Sequence, residues 1–256
     1  VGYYGNSLGD HFGVGHIFLA GEAPGLFYGY VTQGIVQKED ITENGIKYIK
    51  QDGSVGYYQT VNKTTPVAGD VKYVDRNGDG VVDDNDRDII GNPNPDFTYG
   101  FQTKVSWKSL SLSASFNGVQ GRDILNVGNR YNNTPGTKSN NVTRKAFQNM
   151  WTDENPSNLY PKSTFVVQNM VMDRYVEDGS YLRCSDITLS YILPAKWTNK
   201  IGIKNTSVYA SVKNAFVITD YSGYDPEVNS FAFDGLRPGV DMNSYPTPRS
   251  FVDRKS

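Results

Sequence analysis

The sequence has few of the residues that build most catalytic and metal centres. Among its 256 residues are one cysteine and two histidines. The single cysteine, Cys184, excludes a disulfide within the chain and a cysteine-rich metal site, and we interpret it as an ordinary strand residue. His11 and His16 lie in a glycine-rich stretch without the motifs of a metalloprotease or a serine hydrolase. We therefore predict that the chain has no catalytic residues and is not an enzyme.

Long apolar runs and an excess of one charge are also missing. No run approaches the ~20 apolar residues of a transmembrane helix, although strands of ~9 to 11 residues could still cross a membrane. The formal net charge is -2 and no Lys or Arg cluster occurs, which argues against nucleic acid as a partner. The start has neither a methionine nor the pattern of a signal peptide, so we expect a piece of a longer protein.

Aromatic residues and glycines, in contrast, are abundant. Aromatic side chains make up 13% of the sequence, and 26 glycines interrupt it, a mixture that favours β-structure with many turns. The clearest strands are residues 97–107 and 110–116, where apolar or aromatic residues alternate with polar ones. With only residues 108–109 between them, these stretches predict a long β-hairpin.

The two faces of this hairpin differ in chemistry. One carries Phe, Tyr, Val, Leu and Trp, and the other carries Ser, Thr, Gln, Asn and Lys. That contrast suits a membrane barrel with lipid outside and water inside. A soluble β-sandwich shows the same alternation, so the pattern alone leaves both architectures open.

Further strands are predicted at residues 26–36, 181–193 and 206–217, and another begins at 249–252. A short helix is expected to start near Pro194, because proline suits the first turn of a helix.

Two long polar stretches separate the strands. Residues 121–174 form a long loop, far beyond the usual connection of ~4 to 6 residues, and such excursions are commonly functional. Within it, residues 143–152 predict a short helix; Ala146, Phe147, Met150 and Trp151 would share one side. Residues 221–245 form the second long loop, and both loops are candidates for contact with a ligand or partner.

The most specific motif is DRNGDGVVDDND at residues 75–86, which has the spacing of a calcium-binding loop. Gly80 permits the sharp turn, and a strand-like segment precedes the loop, so it resembles a dockerin-type loop more than a paired helix-loop-helix. The final position is Asp in place of the usual bidentate Glu. The alternative is a solvated acidic turn held by Asx hydrogen bonds. The predicted ligands of a structural calcium ion are Asp75, Asn77, Asp79, the carbonyl of Val81, Asp83 through water, and Asp86.

Several longer segments together resemble one family. They are GDVKYVDRNGDGVVDDNDRDIIGNPNPDFTYGF, DGSYLRCSDITLSYILP, VYASVKNAFVITDYSGYDPEV and YPTPRSF, and LFYGYVTQGIVQ near the start fits the same pattern. In this order they closely resemble the C-terminal part of the SusC/RagA-type TonB-dependent outer-membrane transporters of Bacteroidetes.

The resemblance implies an all-β fold, a part of an antiparallel transmembrane β-barrel of about 22 strands with long extracellular loops that contain short helices. We expect residues 1–256 to supply roughly seven or eight of those strands. The plug domain and the segment that contacts the TonB complex would lie outside this chain. The family's closing strand ends in an aromatic residue, whereas this chain ends in VDRKS.

The resemblance also implies a function. It predicts part of an importer in the bacterial outer membrane, surrounded by lipid, that takes up oligosaccharides or peptides with a SusD-like surface lipoprotein and energy from the TonB complex. The alternative is a soluble secreted β-sandwich, braced by calcium, that binds glycans. The length of the strands discriminates between them, since barrel strands run to ~10 residues and sandwich strands to ~5 or 6.

Overall fold

A computed structural model describes residues 2–4, 15–134, 141–163, 170–199 and 206–255. His11 lies outside the described residues. The chain divides into two compact units. The loop unit comprises Val1–Asn94, Asp123–Glu177 and Asn229–Asn243. The strand unit comprises Pro95–Arg122, Asp178–Val228 and Ser244–Ser256.

Short strands dominate the loop unit, and long strands form the strand unit. In chain order the strands are β1 (Gly2–Tyr4), β2 (His16–Phe18), β3 (Leu26–Tyr30), β4 (Thr32–Ile35), β5 (Ile41–Thr42), β6 (Gly45–Ile49), β7 (Val55–Tyr58), β8 (Thr60–Val61), β9 (Val71–Tyr73), β10 (Val81–Val82), β11 (Arg87–Gly91), β12 (Phe97–Trp107), β13 (Leu110–Gln120), β14 (Asp123–Asn126), β15 (Val176–Asp178), β16 (Tyr181–Ile192), β17 (Ser207–Thr219), β18 (Val240–Asp241) and β19 (Ser250–Lys255). The helices are α1 (Val127–Asn133), α2 (Arg144–Asn149) and α3 (Ala195–Thr198).

The strand unit is one antiparallel sheet in the order β12-β13-β16-β17-β19. Strands β12, β13, β16 and β17 are 11, 11, 12 and 13 residues long, the length of barrel strands. The predicted hairpin is present, with Phe97 opposite Gln120 and Trp107 opposite Leu110. Lys108 takes the positive φ of 54° that its two-residue turn requires.

The predicted contrast between the two faces of this sheet is also present. On the apolar face Phe101 stacks on Phe116 with ring centroids 4.5 Å apart. On the polar face the Asp186 carboxylate accepts hydrogen bonds from Thr188 Oγ1 and Ser211 Oγ, at 2.8 and 2.7 Å. Outside the β-bulge between Cys184 and Asp186, the period of two assigns the side chains to their faces.

The family resemblance implied more long strands than the described residues contain. Five strands make up the long sheet, two or three fewer than expected. Residues 26–36 account for part of the difference, because they divide into β3 and β4, which belong to different sheets of the loop unit. Gly34 in β4 has a φ of +86°, a conformation that no regular strand contains.

The loop unit combines small sheets with a core of its own. Its sheets are β1-β2-β3-β11, β4-β9, β5-β6-β7, β8-β10 and β15-β14-β18, and two of the pairings, β8 with β10 and β14 with β18, are parallel. The fully buried Tyr73 and Val82 belong to its core. The core also contains Phe27, Tyr30, Ile35, Val36, Ile46, Tyr48, Tyr58, Val61, Val71, Val74, Leu125, Val127, Trp151, Met170, Val171, Met172, Tyr175 and Val240.

The predicted helix at 143–152 is present but shorter. It runs over Arg144–Asn149, and the Thr143 side chain caps it by accepting a hydrogen bond from Ala146 N. Ala146 is buried, whereas Phe147 is 60% exposed, so the predicted apolar side is only partly used. No helix among the described residues is both long and apolar enough to cross a membrane.

Candidate functional site

The acidic loop at 75–86 has the turn that its glycines predict. Gly78 and Gly80 have φ angles of +76° and +87°, in the region that favours glycine. This conformation turns the backbone towards Asp75, whose carboxylate accepts hydrogen bonds from Gly78 N at 2.6 Å and Gly80 N at 2.8 Å. Asp75 is only 2% exposed, and Tyr48 Oη donates to its carbonyl.

Asp86, at the other end of the loop, is the second buried carboxylate. It accepts hydrogen bonds from Arg76 N and Asp83 N, both at 2.8 Å, and from Asn77 N at 3.3 Å. Burial raises the pKa of Asp86 in spite of these donors, and the charge of Asp75 raises it further. Two like charges therefore act on each other inside the loop.

The other predicted ligands are used in local turns. Asn77 Oδ1 accepts from Asp79 N, and Asp79 Oδ1 accepts from Val81 N, at 2.8 and 2.9 Å. Asp83 Oδ1 accepts from Asn85 N at 2.8 Å. Among the described residues no three His, Cys, Asp or Glu side chains are grouped to hold a metal. The loop thus has the Asx hydrogen bonds of the alternative interpretation, and calcium binding stays a prediction.

Asp225 and Glu227, which could have suggested a pair of catalytic carboxylates, both bind Arg183 in the strand unit. Glu227 Oε1 also accepts a hydrogen bond from Tyr181 Oη at 2.6 Å, and Arg183 is only 5% exposed. The pair therefore forms an ionic network around the buried Arg183 that attaches the segment after β17 to β16.

Backbone amides complete the environment of Asp225. Its Oδ1 accepts from Glu227 N and its Oδ2 from Thr247 N, each at 3.0 Å. Burial alone would raise the pKa of Asp225, but these donors and the Arg183 charge lower it below its ordinary value. The carboxylate is thus held ionised in the folded protein.

His16 and Cys184 occupy structural positions. His16 is fully buried in β2, with Nε2 3.3 Å from the carbonyl oxygen of Pro238, and burial lowers its pKa. Cys184 is a buried residue of β16, as interpreted from the sequence.

A cavity of about 210 Å³ in the loop unit was not visible in the sequence. Its lining comes from α1, α2, the segment 159–161 and the 3₁₀ turn Asp173–Tyr175. No local pattern reports a cavity assembled from four separate segments.

Comparison with known proteins assigns the chain to a family. It is 34% identical over 194 residues to TonB-dependent receptor P26 of Formosa agariphila, a match that covers 73% of this chain and 19% of that protein. It is also 34% identical over 187 residues to TonB-dependent receptor SusC of Bacteroides thetaiotaomicron, covering 70% of this chain and 17% of SusC. The chain belongs to the SusC/RagA type of TonB-dependent transporters. No protein-family model matches it.

Solved structures agree on the fold of this SusC/RagA-type chain. A structure of the RagAB peptide transporter aligns with a TM-score of 0.63 at 23% identity, over 95% of this chain and 24% of that one. RagAB in its "open-open" state aligns with a TM-score of 0.62. The predicted family, the β-barrel fold and the outer-membrane location are therefore confirmed. The chain spans about a fifth of the length of the curated relatives it matches.

Proposed function

We propose that this chain is the C-terminal barrel portion of an outer-membrane importer of oligosaccharides or peptides, which acts without enzymatic chemistry. The observation that carries the proposal is the sheet of long antiparallel strands with one apolar and one polar face, in a chain whose relatives are TonB-dependent receptors. A soluble sandwich would have strands of ~5 or 6 residues, so the strand lengths argue against that alternative.

The proposed importer works with a SusD-like lipoprotein and with the TonB complex. Support comes from the relatives SusC and RagAB, the second of which is described as a peptide importer. The loop unit, with its own packed core, is the surface that we assign to cargo and lipoprotein. A folded loop surface of this kind is a common place for recognition.

The test is uptake by cells that express the full-length protein containing this chain. Labelled oligosaccharides and labelled peptides are offered separately, with and without the membrane proton gradient, and the protein is purified from membranes to identify a lipoprotein that co-purifies. Energy-dependent uptake of either cargo is expected. Equal uptake by cells that lack the gene would contradict the proposal.

We also propose that the acidic loop binds calcium in a structural role. The donors at 75–86 are oxygens, the ligands that a hard cation prefers. Asp75 and Asp86 are buried beside each other, and neither forms an ion pair with Lys or Arg in the described part of the chain. A bound cation would offset this repulsion and brace the loop.

A further inference from the structure

Hydrogen bonds join the elements that line the cavity of the loop unit. Thr143, which caps α2, donates through its backbone N–H to Asn132 O at 2.9 Å and through Oγ1 to Asn133 Oδ1 at 2.7 Å. These bonds fasten the start of α2 to the end of α1. The bonds thus hold the cavity-lining residues of the two helices in fixed positions relative to one another. These residues are Asn129 and Asn133 on α1 and Lys145 on α2.

The opposite wall is equally constrained. The 3₁₀ turn Asp173–Tyr175 is anchored through the Asp173 carboxylate, which accepts bonds from Thr32 N at 3.1 Å and Thr32 Oγ1 at 2.6 Å. Arg174 Nη2 donates to Leu159 O, which fastens the segment 159–161 to this turn. Hydrogen bonds within the chain thus fix both walls of the cavity, so binding would cost little ordering entropy.

Two cations line the cavity, and no acidic side chain is among the described residues that form its wall. Arg174 Nη1 is buried without a hydrogen-bond partner in the described part of the chain. Lys145 is exposed on α2, and no described residue forms an ion pair with it. The nearby Glu177 accepts hydrogen bonds from Asn126 and Asn129, at 3.0 and 2.9 Å. A buried donor without an acceptor is costly, so this wall favours an anionic ligand.

The remaining residues of the cavity wall provide a side-chain amide donor and apolar surface. Asn133 accepts from Thr143 through Oδ1, which leaves its Nδ2 as a donor. Tyr160, Pro161 and Tyr175 add rings that can cover the body of a ligand. The volume of about 210 Å³ lies below the roughly 300 to 1,000 Å³ of sites for drug-sized ligands. It suits a single terminal unit of a longer molecule.

We propose that this cavity binds a carboxylate, either that of an acidic sugar residue or that of a peptide C-terminus. Lys145 and Arg174 supply the positive charge, Asn133 orients the carboxylate, and Tyr160 and Pro161 pack against the rest of the terminal unit. That such a carboxylate belongs to imported cargo rests on the proposed function. The binding itself does not.

The experiment measures binding by isothermal titration calorimetry to the full-length transporter in detergent. The probes are galacturonate, with galactose as its neutral counterpart, and N-acetyl-alanyl-leucine, with its C-terminal amide as the neutral counterpart. At least one acid should bind about tenfold or more tightly than its neutral counterpart, the gain expected from a charge-assisted hydrogen bond. The acid that binds identifies the source of the carboxylate.

Two neighbouring variants locate the site. Lys145→Gln removes a cation that lines the cavity, whereas Arg144→Gln removes one from the adjacent exposed position outside the lining. Both change the net charge equally. Lys145→Gln should weaken binding of the acid about tenfold, and Arg144→Gln should leave it within about twofold. Neither side chain is buried, so both variants should fold.

Three results would overturn the proposal. They are no preference for either acid over its neutral counterpart, equal losses in the two variants, or no loss in Lys145→Gln. Binding that behaves as expected in a protein whose expression gives no energy-dependent uptake would leave the carboxylate site intact and reject the proposed import. The two failures are therefore distinguishable.

Discussion

Asp225 shows how a carboxylate in a loop can stabilise the fold instead of taking part in catalysis. Its carboxylate binds Arg183 and two backbone amides, and its side chain is 9% exposed. Removal of one partner from such a buried pair typically costs about 3 to 5 kcal/mol, because a charge remains buried and uncompensated. We therefore expect Asp225 to be replaceable only with loss of local order.

This environment predicts a pH dependence. Because the pKa of Asp225 is lower in the folded protein than in an unfolded chain, its stabilising contribution is complete above about pH 4 and is lost as the pH falls through the lowered folded value. Hydrogen exchange at Glu227 N and Thr247 N, corrected for intrinsic rates, should accelerate in that acidic range.

The matched variants are Asp225→Asn and Asp220→Asn, the second at an exposed position nearby. Asp225→Asn should exchange quickly at neutral pH and lose the acid dependence, whereas Asp220→Asn should behave like the parent protein. Protection that is independent of pH in the parent would be inconsistent with this account.

The calcium proposal is tested at single residues of the acidic loop. Calcium at about 100 times its dissociation constant should stabilise the full-length protein by about 2.7 kcal/mol relative to a sample with chelator, seen as a rise in melting temperature. Asp75→Asn should abolish the rise because it removes a buried carboxylate of the loop. Asp52→Asn, on an exposed turn, should preserve it. If calcium does not change the melting temperature of the parent protein, the loop is a solvated turn held by Asx hydrogen bonds and the calcium proposal is wrong.

Among the elements, β12 offers the most direct test of which face of the sheet contacts lipid. Thr103 and Gln102 are neighbours at the middle of this strand, and their side chains point to opposite faces. Thr103 lies opposite Ala114 on the apolar face, and Gln102 lies opposite Ser115 on the polar face. The two positions therefore allow a charge to be placed on either face without removing an aromatic side chain.

A charge on the apolar face should be costly only if that face meets lipid. Thr103→Arg is expected to destabilise the full-length barrel by about 2 to 4 kcal/mol, the cost of Arg near the bilayer midplane. Gln102→Arg should change stability by less than about 1 kcal/mol, because its face is wet. Denaturant unfolding in lipid vesicles measures both. Equal effects of the two variants would refute the assignment of the faces.

The sequence could predict β12, β13, β16 and β17 because apolar and polar residues alternate over a long part of each strand, so local periodicity carries the answer. The same logic failed at residues 26–36. Their alternation continues through the break at Val31 between β3 and β4, which belong to different sheets, and the positive φ of Gly34 interrupts the register of β4 with β9. Short strands of two to five residues leave too little pattern to reveal their partners.

The candidate sites divide in the same way. The turn of the acidic loop could be predicted, since Asp75, Gly80 and Asp86 act within twelve consecutive residues and the glycine spacing fixes the conformation. The cavity could not, because Asn133, Lys145 and Arg174 meet only after three segments have folded together.

At the scale of the whole molecule, residues of both long loops belong to one core with strands from the first 94 residues. Tyr73 is fully buried in it, and Tyr73 N donates a hydrogen bond to Tyr58 Oη at 3.2 Å. Val61 and Val82 meet through a parallel pairing, and Asn126 and Asp241 through another. The two polar stretches that the sequence predicts as long loops thus contribute residues to a packed unit.

This core predicts the effect of a large cavity at Tyr73. Tyr73→Ala should destabilise the loop unit by about 3 to 5 kcal/mol, as for other buried aromatic residues replaced by alanine. Tyr73→Phe keeps the ring and should cost much less. Limited proteolysis of the full-length protein should show new cleavage within Val1–Asn94 and Asp123–Glu177 for the alanine variant only. Equal cleavage of the two variants would argue against packing of the ring as the cause.

The loop unit is built from three stretches that enter it from separate points of the chain. Each of them completes its neighbours: Val240 of the third stretch, for instance, pairs with Leu125 of the second. Recombination between relatives must respect this dependence. A chimaera that receives one stretch from another transporter has strands that no longer match their pairing partners in the other two stretches. A chimaera that receives all three stretches keeps the matched pairs and the folded surface that they form. We therefore expect these stretches to be inherited together, and redesign of specificity to succeed when the unit is transplanted whole.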